Sequence, residues 1–289
     1  MRKLDLLTYS AEGTEDNRIE YVKTDSEQLN EILGGGIRTG NLIVLEAPSG
    51  AGKTTFMMRL FIRCLLSRKP VAYISIGEQD ETEVFERIAC MYCNIDYATF
   101  IDTRDEDDCS KITSFLEKFG DLIHIYYSDD PFEEHNVAQG EPNNDFIPIM
   151  RDINENKVKF IFMDYLGAVL ADQLDSQYSY LTKLAAGLKN RCTDNNIMIM
   201  TAMQTNRPLK AELRLDTLDV TSVDETFMAD SIGPARKASI CMSLFKWKGQ
   251  YYLNVYKNRL NGKLKAILMD FTPITYQWVE FFKGKEEWF

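Results

Sequence analysis

The chain has 289 residues, 45% of them hydrophobic, which is enough for a large domain with its own core, and its six cysteines are expected to be reduced. A net charge of −11 argues against a protein that coats nucleic acid indiscriminately. No run of about 18 apolar residues is present and MRKLDLLTYSAEGTED lacks the apolar centre of a signal peptide, so no membrane partner and a cytoplasmic location are expected.

In chain order, LIVLEA (42–47) reads as a buried strand and TTFMMRLFIRCLL (54–66) as a helix with apolar residues at helical spacing. Between them, APSGAGKT has the spacing of a phosphate-binding loop, G-x-x-x-x-G-K-[ST], with Ala47 at the position of the first glycine. Backbone N–H groups between a strand end and a helix start must point at phosphates there, so bare backbone is needed at Gly50 and Gly52 and a methyl group is tolerable at the strand end. Ser49, Gly50, Ala51, Gly52, Lys53, Thr54 and Thr55 form the expected ATP cradle, with the Thr54 hydroxyl directed at Mg²⁺.

VAYIS (71–75) follows Pro70 as a second strand and leads through GEQD to a helix over 81–93. Glu78 stands where a carboxylate could orient a water for in-line attack on the γ-phosphate, although its acid-rich surroundings also suit a solvated loop. Cys90 and Cys93 make one C-x-x-C without a second pair at zinc-finger spacing, and read as two helix cysteines. DTRDEDD (102–108) and SDDPFEEH (128–135) read as solvated acidic loops, LIHIYYS (122–128) as a strand, and GEPNND (140–145) as a surface excursion.

The apolar run VKFIFMDYLGAVL (158–170) carries Asp164 at the end of FIFM, where a strand-tip carboxylate can hold the Mg²⁺ water shell. A helix over 177–192 and a strand IMIMTAMQ (197–204) follow, and Gln204 closes that strand where an amide could sense the γ-phosphate. Four short strands with tight turns end the chain: ASICMSLFKW, QYYLNVYKN, KLKAILMDF and ITYQWVEF. From Ser231 to Met269 there is no Asp or Glu, while Arg236, Lys237, Lys246, Lys248, Lys257, Arg259, Lys263 and Lys265 are all basic; a solvated face is the plain alternative to a binding surface. Alternating strands and helices imply an α/β fold with a mainly parallel central sheet, and the closing strands imply a C-terminal antiparallel β-meander at its edge. Asn261-Gly262 is a turn signal that puts Lys257 and Arg259 near the tip of a β-hairpin.

Taken together, GGGIRTGNLIVLEAPSGAGKTTF, YISIGEQDETEVFERI, MDYLGAVL, TAMQTNR, DSIGPARKAS and KNRLNG resemble the RecA-like motor domain of DnaB-type replicative helicases, with the nearest likeness to the tailed-phage branch. The resemblance covers about residues 26 to 281, and that family also tolerates alanine in place of the first glycine. It implies a RecA-like P-loop ATPase core over 26–289, preceded by an N-terminal segment 1–25 that docks on a neighbouring subunit. It implies that Lys53 and Thr54 bind phosphate and Mg²⁺, that Asp164 is the acidic Mg²⁺ partner, that Glu78 is the base, and that Gln204 couples nucleotide state to the loop after it.

Lys257 and Arg259 match the pair that the family projects into the neighbouring subunit's ATP site. Arg207, Lys210 and Arg214, with Arg236 and Lys237, lie in loops that line the family's central channel, so single-stranded DNA is the expected partner. The resemblance further implies a homo-oligomeric, hexameric ring, residence in a host cytoplasm if phage-encoded, and primase, helicase loader or single-strand-binding protein as further partners. Two alternatives stay open on the residues: a RecA-like recombinase or mediator, and an ATP-switched assembly protein of the circadian-clock ATPase type.

Overall fold

A computed structural model describes residues 19–77, 79–128, 146–164, 166, 174–204, 232–272 and 277–280. The chain enters along β1 (Tyr21–Val22), which pairs antiparallel with β2 (Ile37–Arg38) around α1 (Glu27–Leu33). Helix α1 starts because the Ser26 side chain accepts from the Leu29 N–H, and it stops at Gly34, whose φ of 73° is left-handed. Gly36 is required by a close approach: a Cβ there would fall 2.2 Å from the Val22 carbonyl oxygen. Val22 belongs to the core, and Asp25 pairs with Arg59 at 2.6 Å, so this entry segment packs on its own domain.

The main sheet runs through β3 (Leu42–Ala47), β4 (Val71–Ile76), β5 (Ile123–Ser128), β6 (Phe160–Asp164), β7 (Met198–Gln204), β8 (Ile240–Trp247), β9 (Gln250–Asn258), β10 (Lys265–Thr272) and β11 (Gln277–Glu280). Their spatial order is β11-β10-β9-β8-β3-β7-β6-β4-β5. From β8 to β5 neighbouring strands pair parallel, and β9, β10 and β11 continue the sheet antiparallel, as the expected meander requires. Strands β3 and β4 are buried at every position, which explains their continuous apolar runs: a central parallel strand is covered on both faces. The β8–β9 turn is Lys248-Gly249, both with positive φ, the two-residue hairpin geometry that matches strand twist.

Helices cover both faces. On one lie α2 (Lys53–Leu66), α3 (Glu81–Cys93) and α5 (Glu106–Phe119), packed around Phe61, Tyr73, Phe115 and Phe162. On the other lie α6 (Phe146–Glu155), α7 (Leu174–Asp194) and α8 (Ile232–Lys237), through Met150, Ile153, Leu181, Ala185, Leu188, Ala235 and Ala238. Helix α4 (Tyr97–Thr103) bridges α3 to α5.

One sequence expectation changes here. DTRDEDD is the junction of two helices rather than a loop: Asp105 caps α5 by accepting from the Asp107 and Asp108 N–H groups, and Glu106, Asp107 and Asp108 fill its first turn, where the helix dipole favours acids. The C-x-x-C lies in α3, with Cys90 buried and its thiol pushed up to about 12, chiefly by that burial. Among the described residues no helix is long and apolar enough to cross a membrane.

Candidate functional site

Strand β3 ends at Ala47, which is fully buried and in register with Gln204 at the end of β7. Its methyl group is therefore part of the core, and the usual glycine is dispensable there. The loop then turns through Gly50 at φ 76° and Gly52 at φ 91°, both in the left-handed region. Gly52 is the N-cap of α2 and no side chain caps that end, so the first N–H groups of the helix are directed out of its N-terminus. A Cβ added at Gly50 would meet nothing within 4 Å, so the space over the loop is open. Lys53 is the first residue of α2 and Thr54 the second.

Asp164 ends β6, beside Ser75 of β4 in register. Its Oδ2 accepts from the Thr54 hydroxyl at 2.6 Å and from the Tyr73 hydroxyl at 2.9 Å. Its Oδ1 is buried and has no hydrogen-bond partner among the described residues. Burial pushes the carboxyl above its ordinary range, and the Thr54 and Tyr73 hydrogen bonds and the Lys53 charge pull it back. A hydroxyl and a buried carboxylate with one oxygen to spare, beside a cation and an uncapped helix N-terminus, fit Mg²⁺ and a phosphate chain, with Thr54 and Asp164 as the residues that would hold the metal.

Tyr73 went unnoticed in the sequence because it sits inside an apolar run; the one available signal was a hydroxyl in a strand otherwise free of polar groups until Ser75. The tip of β4 is shaped by Gly77, at φ 68°, whose N–H donates to the Ser128 carbonyl at 3.1 Å, and by the Gln79 N–H, which donates to the Ser75 hydroxyl at 3.3 Å. Glu78 itself lies outside the described residues, as do Arg207, Lys210 and Arg214.

Lys257, near the end of β9, and Arg259, just after it, stand toward the opposite end of the strands from the phosphate loop, by the start of β3. The Arg259 N–H donates to the Ser239 carbonyl at 2.9 Å, and the Ser239 N–H to the Leu42 carbonyl at 2.8 Å, at the beginning of β3. Lys257 Nζ donates to the Ala235 carbonyl, and Arg259 Nη2 to the Arg236 carbonyl at 2.8 Å, so both cations are braced by the last turn of α8. Arg236 and Lys237 are exposed in that turn. The acid-free segment does not make one patch: Lys246 and Lys248 lie over Tyr251 and Trp247 at the β8–β9 turn, and Lys263 pairs with Glu31 at 3.2 Å.

The family model for the DnaB-like helicase C-terminal domain matches residues 21–219. Among solved structures, the ATPase domain of G40P superposes with a TM-score of 0.73 at 17% identity, covering 92% of this chain and 93% of that one. A DnaB-like replicative helicase, solved in a study of its interactions with primase, superposes with the same TM-score and identity over 92% of this chain and 63% of its own. Both likenesses are of fold. Among curated proteins, the DNA repair protein RadA of Listeria monocytogenes is 36% identical over 58 residues, and that of Campylobacter jejuni 28% identical over 87 residues. These stretches are 20% and 29% of this chain, and the chain spans only 12% and 19% of the lengths of those relatives.

Proposed function

The chain belongs to the family of DnaB-like helicase C-terminal domains, and on that premise we propose that it is an ATP-driven DNA helicase motor whose active sites are shared between adjacent copies in a ring. The substrate is ATP with Mg²⁺. Lys53 and the N-terminus of α2 receive the phosphates; Thr54 and Asp164 hold the metal; Glu78 accepts the proton of the attacking water. When bound, Mg²⁺ neutralises charge building up on the phosphate oxygens. Gln204, level with Ala47 across the β3–β7 pair, relays the state of the phosphate site to the loop that follows it.

The observation that carries the shared-site reading is the placement of Lys257 and Arg259. They are tied to the start of β3, whereas the phosphate loop leaves its end, five residue steps or roughly 17 Å away. That separation from the chain's own phosphate loop supports a reading in which both cations serve a nucleotide held by a second copy. A guanidinium in that position stabilises charge developing on the γ-phosphate, a contribution of about 10³ to 10⁵ in rate where it has been measured in other nucleotide hydrolases. Arg207, Lys210, Arg214, Arg236 and Lys237 contact the phosphates of a single strand in the central channel, and hexamer formation, the docking on a neighbour of the part of the N-terminal segment that precedes residue 19, and a primase, a loader or a single-strand-binding protein as partners belong to the same reading.

The alternative, a recombinase or mediator that hydrolyses ATP and pairs strands, has only the local RadA matches on its side and is not favoured. One assay separates the two. A helicase motor shows single-stranded DNA stimulating hydrolysis and a forked duplex opening; strand exchange without opening selects the second reading, and turnover indifferent to DNA contradicts both.

A further inference from the structure

Helix α7 carries Lys189, half-buried, whose Nζ donates to the Gly40 carbonyl at 2.9 Å in the turn just before β3. That turn is bracketed by Arg38 at the end of β2, and the Arg259 backbone is two hydrogen bonds away through Ser239 and Leu42. Burial holds the Lys189 ammonium below its ordinary range, and the like charges of Arg259 and Arg38 push the same way. Three cations from β2, α7 and the segment after β9 thus lie about the start of β3.

What surrounds them is as informative. Among the described residues no carboxylate forms an ion pair with Arg38, Lys189, Arg236, Lys237 or Arg259, in a chain with 44 acidic residues against 33 basic ones. The Arg38 Nε–H is buried with no hydrogen-bond partner among those residues, and its Nη1 reaches only the Tyr21 hydroxyl at a long 3.4 Å. Lys189 has two N–H groups beyond the one on Gly40, and Arg259 has several beyond the one on Arg236. Like charges held together with no counter-charge among the described residues are unfavourable, and a multiply charged anion with several acceptor oxygens relieves the cost.

We propose that Lys189 and Arg38 complete, with Arg259, a phosphate-receiving cluster that engages the terminal phosphate of the nucleotide held by the adjacent copy. Lys189 acts on the reacting phosphate as a second positive charge, and Arg38 positions it and shares the load. The inference rests on the shared-site reading above and extends it to Lys189 and Arg38, for which the sequence alone suggested no role. A phosphate of the DNA backbone offers the same chemistry, so the test must separate the two sources.

The full chain is assayed with ATP, Mg²⁺ and oligo(dT). Lys189→Met is expected to keep its affinity for ATP while the DNA-stimulated kcat falls by about tenfold or more, a loss of transition-state stabilisation of about 1.4 kcal/mol. Lys189→Arg keeps most of the rate, and mixing Lys189→Met with Lys53→Ala restores turnover, because each copy supplies what the other lacks. Arg38→Gln, which leaves the Gly40 contact intact, lowers kcat in the same direction and serves where Lys189→Met does not fold. Unchanged kcat in the folded variants overturns the proposal, as does a loss that follows ATP affinity. A flattened salt dependence of oligo(dT) binding, by about 0.7 per charge removed, with kcat at saturating DNA intact, assigns the cluster to DNA instead and also overturns it. Arg259→Ala is run in parallel: if it loses activity and is complemented while Lys189→Met is normal, only this extension fails, and if Arg259→Ala is itself normal the shared site fails with it.

Discussion

Asp164 is buried at the end of β6 with two hydrogen bonds on one carboxylate oxygen and none on the other among the described residues, and that burial, which the hydrogen bonds only partly offset, sets the direction of its response to pH. The folded-state pKa is raised, so the favourable contribution of the carboxyl is fully present below the unfolded value of about 3.9 and is lost as pH rises through the folded one. At neutral pH the metal-free protein therefore bears the cost of burying a carboxyl that is ionised in the unfolded chain. Asp164→Asn is expected to raise Tm without nucleotide or Mg²⁺ at pH 7, by a margin that narrows as pH is lowered toward the carboxylate range, and to abolish Mg²⁺-dependent turnover; differential scanning calorimetry across pH checks the first and a phosphate-release assay the second. Lys53→Ala removes the phosphate-facing charge at the start of α2 and leaves the fold, with turnover falling by a factor on the order of 100 or more. Glu78→Gln is expected to bind ATP with near-normal affinity and cleave it slowly in a single-turnover experiment; normal cleavage would assign the base to another acid.

Among the elements, α8 is the short helix on which the two cations lean, and its seat against α7 is tight. A Cβ on Gly233 would lie 1.8 Å from the Thr182 hydroxyl oxygen and 2.9 Å from its Cβ. Gly233→Ala is expected to cost about 1–3 kcal/mol by urea unfolding, with partial recovery in the Thr182→Ala background, since the shorter clash is then gone. Nothing in the sequence announces that pair, 51 positions apart. The elements that could be read from sequence were those whose reason is local. LIVLEA and QYYLNVYKN coincide with β3 and β9 because a continuous apolar run and an alternating run ended by turn residues each have one structural reading. Helices α4 and α5 escaped because acids that serve as caps and first-turn residues look like solvated loop until the buried Phe100, Phe115 and Phe119 are seen on one side. The phosphate loop was legible for the same local reason, and Asp164 because a charge ending an apolar run has few uses. The contacts of Tyr73 and Lys189 were not, since each is made with residues brought near only by the fold, Asp164 for the one and Gly40 for the other.

On the scale of the whole molecule, the phosphate loop leaves the end of β3 while the braced cations stand by its start, and on the proposed reading each copy would complete its neighbour's site. Arg236 and Lys237 are exposed in the last turn of α8, so removing their charges leaves the core intact and tests the proposed DNA contact. The double substitution Arg236→Ala with Lys237→Ala is expected to weaken binding to all single-stranded sequences alike and to lower the slope of log affinity against log salt by about 1 to 2, measured by fluorescence anisotropy. The shared site itself is tested most directly by mixing Arg259→Ala chains with Lys53→Ala chains and following DNA-stimulated ATP hydrolysis. Each variant alone is predicted to be inactive, Arg259→Ala with ATP affinity retained, and the mixture to regain a fraction of wild-type turnover. A mixture that stays inactive where mixed assemblies demonstrably form, or an Arg259→Ala chain that is fully active alone, would contradict the account.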